Sequence, residues 1–134
     1  MFLTDTGAPG FSVASVLLPD DEKPNGPIYN ISASTTAKQL QGYTYSLAFV
    51  SGSSSSGVVY QDVVTVAKLT VHNMSIEVQT QNNHNNSDTA ASSPRTGNLG
   101  LDFAQNGQST KPEQLPTWLM EIMPTLSCEF HIMP

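Results

Sequence analysis

The chain has 134 residues, 38% of them hydrophobic, and this length predicts a single domain with one core. Its formal net charge is −6 and Lys and Arg together number 5, which excludes a basic surface for nucleic acid. Cys128 is the single cysteine, so the chain has no internal disulfide, and no apolar run reaches the length of a membrane span.

The first element is an apolar, strand-like run at residues 1–3 that leads into Asp5-Thr6-Gly7-Ala8. Such a strand would place the Asp5 carboxylate at the start of a tight turn. There Thr6 supplies a hydroxyl, and Gly7 supplies a backbone that accepts positive φ or a close neighbour. Because Asp-Thr-Gly is also an ordinary turn sequence, its chemical meaning depends on the rest of the chain.

Three segments follow the turn. Residues 11–18 begin with apolar side chains at alternate positions and predict a second strand. Residues 19–27 are rich in proline and charge and predict a surface loop. The acidic trio Asp20-Asp21-Glu22 in that loop has no cage-forming spacing, so we expect it to be solvated and to bind no cation. Residues 28–41 are mostly small and polar, and predict a loop or a short helical turn.

The clearest periodicity lies at residues 43–49, where aromatic or apolar side chains alternate with small or polar ones. It predicts a half-buried strand. Ser and Gly residues at 51–57 interrupt this pattern, and residues 58–66 predict a returning strand. The resulting hairpin, at about 43–66, has a tip that is either a mobile loop or a flap that closes over a ligand.

The rest of the chain contains weaker signals. Short β segments are predicted at 69–71 and 76–78, a long exposed polar loop at about 79–95, and a glycine-punctuated strand at 96–101. A helix is predicted at 114–123 and a closing strand at 129–133.

The three histidines are His72, His84 and His131, and none has a partner at metal-ligand spacing. We therefore expect no metal and no cofactor.

Four blocks, in this order, resemble the N-terminal lobe of the pepsin-family aspartic peptidases, especially the fungal members. Asp5-Thr6-Gly7 is similar to the family's active-site box, and residues 43–66 resemble its strand–flap–strand. Residues 96–103 resemble its glycine-rich strand, and residues 115–126 fit the helix that follows. The resemblance implies a mainly β fold: a single acid-protease lobe of half-barrel sheets, with a flap hairpin and one or two short helices.

The resemblance also implies roles for individual residues. Asp5 would be the catalytic carboxylate, and the next three residues, Thr6, Gly7 and Ala8, would support it. Substrate would contact the flap through Phe49, Ser51, Gly52 and Ser53.

Several positions depart from the family pattern. Phe49 replaces the flap tyrosine, Ser51 the flap aspartate, and Ser12 the tryptophan behind the flap. Asn98 introduces an amide where the family has an apolar residue, and Ala8 replaces a serine, although viral half-size relatives also use alanine. These peptidases pair two lobes that each give one aspartate, and this chain has no second Asp-Ser/Thr-Gly box. The resemblance is therefore to one lobe, with degenerate active-site and flap residues.

Three hypotheses for function follow. A lone aspartate in water has a pKa of about 4, and a catalytic pair needs two carboxylates in contact. In the first, the chain is a homodimeric aspartic endopeptidase in which Asp5 meets its own copy. In the second, it is a one-lobe enzyme repurposed for acid/base chemistry on a small molecule, as in fungal secondary metabolism. In the third, it is a pseudoprotease that binds a peptide without catalysis. Each hypothesis implies a peptide or small-molecule ligand in the cleft, and none implies nucleic acid or a membrane. The alternative acids are Asp62, Asp102 and Glu121.

Two features of the sequence bear on the compartment. Sequons occur at Asn30, Asn73 and Asn85, and the N-terminus lacks the pattern of a signal peptide. We expect a cytoplasmic location if the chain is complete and secretion if it is a fragment.

Overall fold

A computed structural model describes residues 10–49, 52–66, 68–83 and 96–100, together with the backbone of residues 2–5. The described part is mainly β and forms one mixed six-stranded sheet in the order β1-β6-β2-β5-β4-β3. The mainly β class predicted above is confirmed. The strands are β1 (Phe2–Asp5), β2 (Phe11–Val13), β3 (Lys38–Ala48), β4 (Ser54–Val66), β5 (Leu69–Asn83) and β6 (Gly97–Gly100).

The predicted hairpin is present as β3 and β4. Tyr45 and Leu47 are buried while the residues between and beside them are exposed, so the alternation in the sequence reports one buried face. The tip is shorter than predicted, because β4 already begins at Ser54. A tight turn closes it: the Phe49 N–H donates to Ser53 O at 2.9 Å and Gly52 has φ 84°, a conformation that favours glycine.

The two short β segments predicted at 69–71 and 76–78 are one 15-residue strand, β5. The pattern is broken at Asn73, which takes φ 57°, and the register with β4 shifts between Asp62 and Val64. β5 also continues to Asn83, so the predicted polar loop begins inside a strand. Polar side chains pair there across β4 and β5, since Ser56 Oγ donates to Gln81 Oε1 at 3.2 Å.

The second predicted strand is shorter than expected, because β2 ends at Val13. Beyond it the chain pairs with the following loop: the Tyr29 N–H donates to Ala14 O at 2.8 Å, and the Val16 N–H to Tyr29 O at 3.0 Å. That loop contains two short 3₁₀ turns, Asp20–Glu22 and Ile31–Ala33. The second lies in the segment predicted as a loop or short helical turn, whereas the first lies in the segment predicted only as a surface loop. β3 begins earlier than the predicted strand, at Lys38.

The two faces of the sheet differ in chemistry. One face of β2 and β5 carries the hydrophobic core, and partly buried residues from the loop and neighbouring strands pack against it. The core residues are Phe11, Val13, Val71, Met74, Ile76 and Val78. The buried polar side chains of β2, β5 and β6 include Ser12, Ser75, Gln79 and Asn98.

The predicted helix at 114–123 and strand at 129–133 lie outside the described residues. Within the described residues, no helix has the length and apolar character needed to cross a membrane.

Candidate active site

Asp5 lies at the end of β1, beside a strand that enters from far along the chain. β6 runs parallel to β1 with Asp5 opposite Gly100, and antiparallel to β2 with Leu99 opposite Phe11. The chain leaves β1 at Asp5 and returns at Gly10 on the other side of β6. The Gly100 N–H donates to Gly10 O at 2.8 Å, which fixes these backbones side by side at one end of the sheet.

The other predicted site residues are at different places in the fold. Thr6, Gly7, Ala8 and Ser51 lie outside the described residues. Phe49, Gly52 and Ser53 form the tip between β3 and β4, where Phe49 is 37% exposed. β1 and β3 are the two edges of the described sheet, so strand pairing brings Asp5 to Gly100 but does not bring it to this tip.

A row of polar side chains crosses β6, β2 and β5 at the level of Leu3, two residues before Asp5. Asn98 lies opposite Ser12, and Ser12 lies opposite Glu77. Asn98 is 6% exposed, and among the described residues neither polar atom of its amide group has a hydrogen-bond partner; the buried Ser75 Oγ also lacks one there. An unsatisfied buried polar group costs about 1–3 kcal/mol, so this row is a costly arrangement for a purely structural layer.

Glu77 is a residue that the sequence interpretation did not single out. Its carboxylate lies against the backbone of Gly10, where a Cβ atom would overlap both carboxylate oxygens and stand 2.5 Å from Cδ. Burial raises the pKa of this carboxyl to about 7. The signal in the sequence is a single acidic residue between two apolar ones, Ile76 and Val78, in a strand.

Residues 1–123 match the eukaryotic aspartyl protease family. The chain belongs to this family. It is 40% identical over 77 residues to penicillopepsin-1 of Penicillium janthinellum, covering 58% of this chain and 23% of that protein. It is 45% identical over 73 residues to endothiapepsin of Cryphonectria parasitica, covering 54% and 17%. With penicillopepsin-3 of Penicillium janthinellum the identity is 32% over 123 residues, covering 92% and 29%.

The family match and these fungal relatives confirm the predicted resemblance to an N-terminal part of the pepsin family. The matched regions span between 17% and 29% of the length of the three relatives. The single sheet with its β3–β4 hairpin fits one aspartyl protease lobe. Because the matches cover only part of these relatives, the activity of this chain is a proposal.

Asp62, one of the alternative acids, has a structural role in this aspartyl protease lobe. Its carboxylate accepts hydrogen bonds from the Tyr29 hydroxyl at 2.5 Å, from Thr36 Oγ1, and from the Val63 N–H at 2.8 Å. Burial acts to raise the pKa of Asp62, but hydrogen bonds, including one from Ser34, outweigh burial and lower it. The carboxylate thus ties the loop before β3 to β4. The other two alternatives, Asp102 and Glu121, lie outside the described residues.

We expect Asp62→Ala to lower the free energy of unfolding by about 2–3 kcal/mol at neutral pH, because it leaves the partly buried Tyr29 hydroxyl and Thr36 Oγ1 without their charged acceptor. The lowered pKa means that this stabilisation is present above the unfolded value, 3.8, and is lost as the pH falls through the folded value. Urea unfolding at several pH values measures both effects. Asp21→Ala, at an exposed position, is the control. Equal stability of the two variants would contradict this role for Asp62.

No group of three His, Cys, Asp or Glu residues within the described ranges is arranged to hold a metal ion. His72 is exposed on β5, and the other two histidines lie outside the described residues.

Proposed function

We propose that this chain is one lobe of an aspartic peptidase, in which Asp5 is one of two carboxylates that activate water against a peptide bond. The observation that supports this most is the position of Asp5 at the end of β1, with β6 between β1 and β2, in a chain of the aspartyl protease family. Backbone pairing on β6 holds both ends of the Asp5–Gly10 segment, which suits a carboxylate that must be held in one position.

The second carboxylate must come from outside the described sheet. Asp62 is engaged by the loop that it anchors. Glu77 contacts Gly10, which is two strand spacings from β1, or about 10 Å. Two carboxylates share a proton only in contact, at about 3 Å. For this chain by itself, a two-fold axis that brings Asp5 against its own copy supplies the missing group.

The proposed chemistry follows from two carboxylates that share one proton. The ionised carboxylate takes a proton from the bound water as the oxygen attacks the peptide carbon, and the protonated carboxyl gives its proton to the carbonyl oxygen. Collapse of the tetrahedral intermediate breaks the C–N bond, and the amine leaves with a proton returned by the pair. Because one carboxyl must be protonated, we expect activity at acid pH.

A second candidate function is ligand binding, or acid/base chemistry on a small molecule, without peptide hydrolysis. The observation that favours it is Phe49, which is exposed at the hairpin tip and carries no hydroxyl. Such a tip can cover a ligand with apolar surface but cannot donate a hydrogen bond to it through residue 49. In that case Asp5 acts alone or is not used.

Hydrolysis of an internally quenched peptide with apolar residues at its centre tests the proposal. Cleavage is measured from acid to neutral pH and over a wide range of protein concentration, with the native mass determined in parallel. We expect activity per chain to rise with concentration as dimers form. Binding of the peptide without cleavage, at concentrations where the chain is dimeric, would overturn the peptidase proposal in favour of the second candidate.

A further inference from the structure

The carboxyl of Glu77 contacts the backbone of Gly10, which is hydrogen-bonded to the strand beside Asp5. Glu77 lies opposite Ser12 of β2, and its side chain reaches back along that strand to Gly10. We propose that Glu77 is a positioning residue that holds the backbone of Gly10, and through Gly100 the backbone at Asp5, in place through this contact. The structural part of this inference stands by itself, and only its consequence for catalysis rests on the proposed function.

The contact reaches Asp5 through two steps of strand pairing. Gly10, which the carboxyl touches, accepts a hydrogen bond from the Gly100 N–H at 2.8 Å. Gly100 is the register partner of Asp5 in the parallel pair of β1 and β6. A displacement of Gly10 therefore acts on the backbone that flanks Asp5, although Glu77 itself is too far away to touch a reacting atom there.

Among the described residues, no positive charge faces Glu77 to hold it in the ionised form. Glu77 has Gly10, which precedes β2, and Ser12 of β2 on one side and Val59 of β4 on the other. Tyr45 of β3 is the titratable side chain that faces it in the described part of the chain. Burial raises the pKa of the tyrosine as well, so both groups are neutral at acid pH.

The contact with Gly10 is therefore expected to depend on pH. Below a pH of about 7 the Glu77 carboxyl is neutral and packs against the glycine backbone. Above it the ionised carboxylate lacks a partner in this position and is drawn toward water, away from Gly10. The absence of a Cβ at position 10 is what allows the contact, since an alanine there would overlap the carboxylate.

Amide NMR of the full 134-residue chain tests the proposal without any need for activity. We expect the Gly10 and Gly100 amide signals of the wild type to shift together with a midpoint near pH 7, and those of Glu77→Gln to stay at their acid positions throughout. Glu22→Gln is the matched control, because its carboxylate contacts the Asn82 N–H at the far end of β5. Wild-type signals that do not move through pH 7 would overturn the proposal, whether or not the variant folds.

A double-mutant cycle adds a second readout at acid pH. Gly10→Ala should displace the carboxyl and move the Gly100 amide toward its alkaline position, and adding Glu77→Ala should reverse that shift because the overlap is removed. If hydrolysis is observed, Glu77→Gln should leave kcat at acid pH within about two-fold and extend the alkaline limb of the pH profile. If the wild type does not hydrolyse the peptide but its Gly10 and Gly100 amide signals still titrate near pH 7, the result would count against the peptidase function and leave the positioning role standing.

Discussion

Asp5→Asn is expected to reduce peptide hydrolysis by about 10³-fold at acid pH, because an amide can neither take a proton from water nor share one with a second carboxylate. The variant should keep its fold, since the pairing of β1 with β6 at this position is made by backbone atoms. We therefore expect the change to appear in kcat/KM while the free energy of unfolding stays within about 1 kcal/mol of the wild type.

Asp21→Asn makes the matched comparison for this experiment. It removes one negative charge in the same way, but from an exposed 3₁₀ turn that follows β2. The kcat/KM of both variants is measured on the same quenched peptide, and folding is checked by circular dichroism. Hydrolysis by Asp5→Asn at the wild-type rate would show that Asp5 is not the acid/base carboxylate.

Gly57→Ala is expected to lower the free energy of unfolding by about 3–5 kcal/mol, the largest stability effect in the described sheet. A Cβ at this position would overlap the carbonyl oxygen of Val78 and stand 3.0 Å from both Thr80 N and Tyr45 Cε1. Val78 and Thr80 contribute backbone atoms of the neighbouring strand, so the overlap cannot be relieved by a rotamer change. Relief requires β4 and β5 to move apart where the register shifts, between Ser56 and Gly57.

Urea unfolding measures this loss, with Ser56→Ala as the control. Ser56 is the preceding residue of β4, and its hydroxyl makes an exposed hydrogen bond with Gln81 Oε1, so its removal should cost less than about 0.5 kcal/mol. A Gly57→Ala protein as stable as Ser56→Ala would mean that β4 and β5 do not approach as closely as described.

Local patterns in the sequence predicted β3, which has one buried and one exposed face, and also the short inner strand β6. The alternation around Tyr45 and Leu47 predicted β3, and the glycine-punctuated run predicted β6. Patterns of this kind failed at β5, because Asn73 adopts a left-handed conformation and interrupts the alternation without ending the strand. The end of β2 at Val13 was also missed, because Ser15 and its neighbours pair with a loop instead of a strand.

The arrangement around Asp5 depends on contacts that no local pattern reports. β6 pairs with β1 although the paired residues, such as Asp5 and Gly100, are far apart in sequence. Glu77 was missed for a related reason. A polar residue that alternates with apolar ones in a strand is normally taken to face water, but the buried side chains of Ser12 and Asn98 in the same row show that this part of the sheet is covered.

The most direct test of the proposal mixes wild-type chain with an equal amount of Asp5→Asn chain, after exchange of subunits, at constant total concentration. If each active centre needs Asp5 from two copies, only wild-type pairs hydrolyse the peptide, and activity should fall to about one quarter of that of the wild type. Activity of about one half would show that each chain works through its own Asp5, and would contradict the paired-carboxylate account.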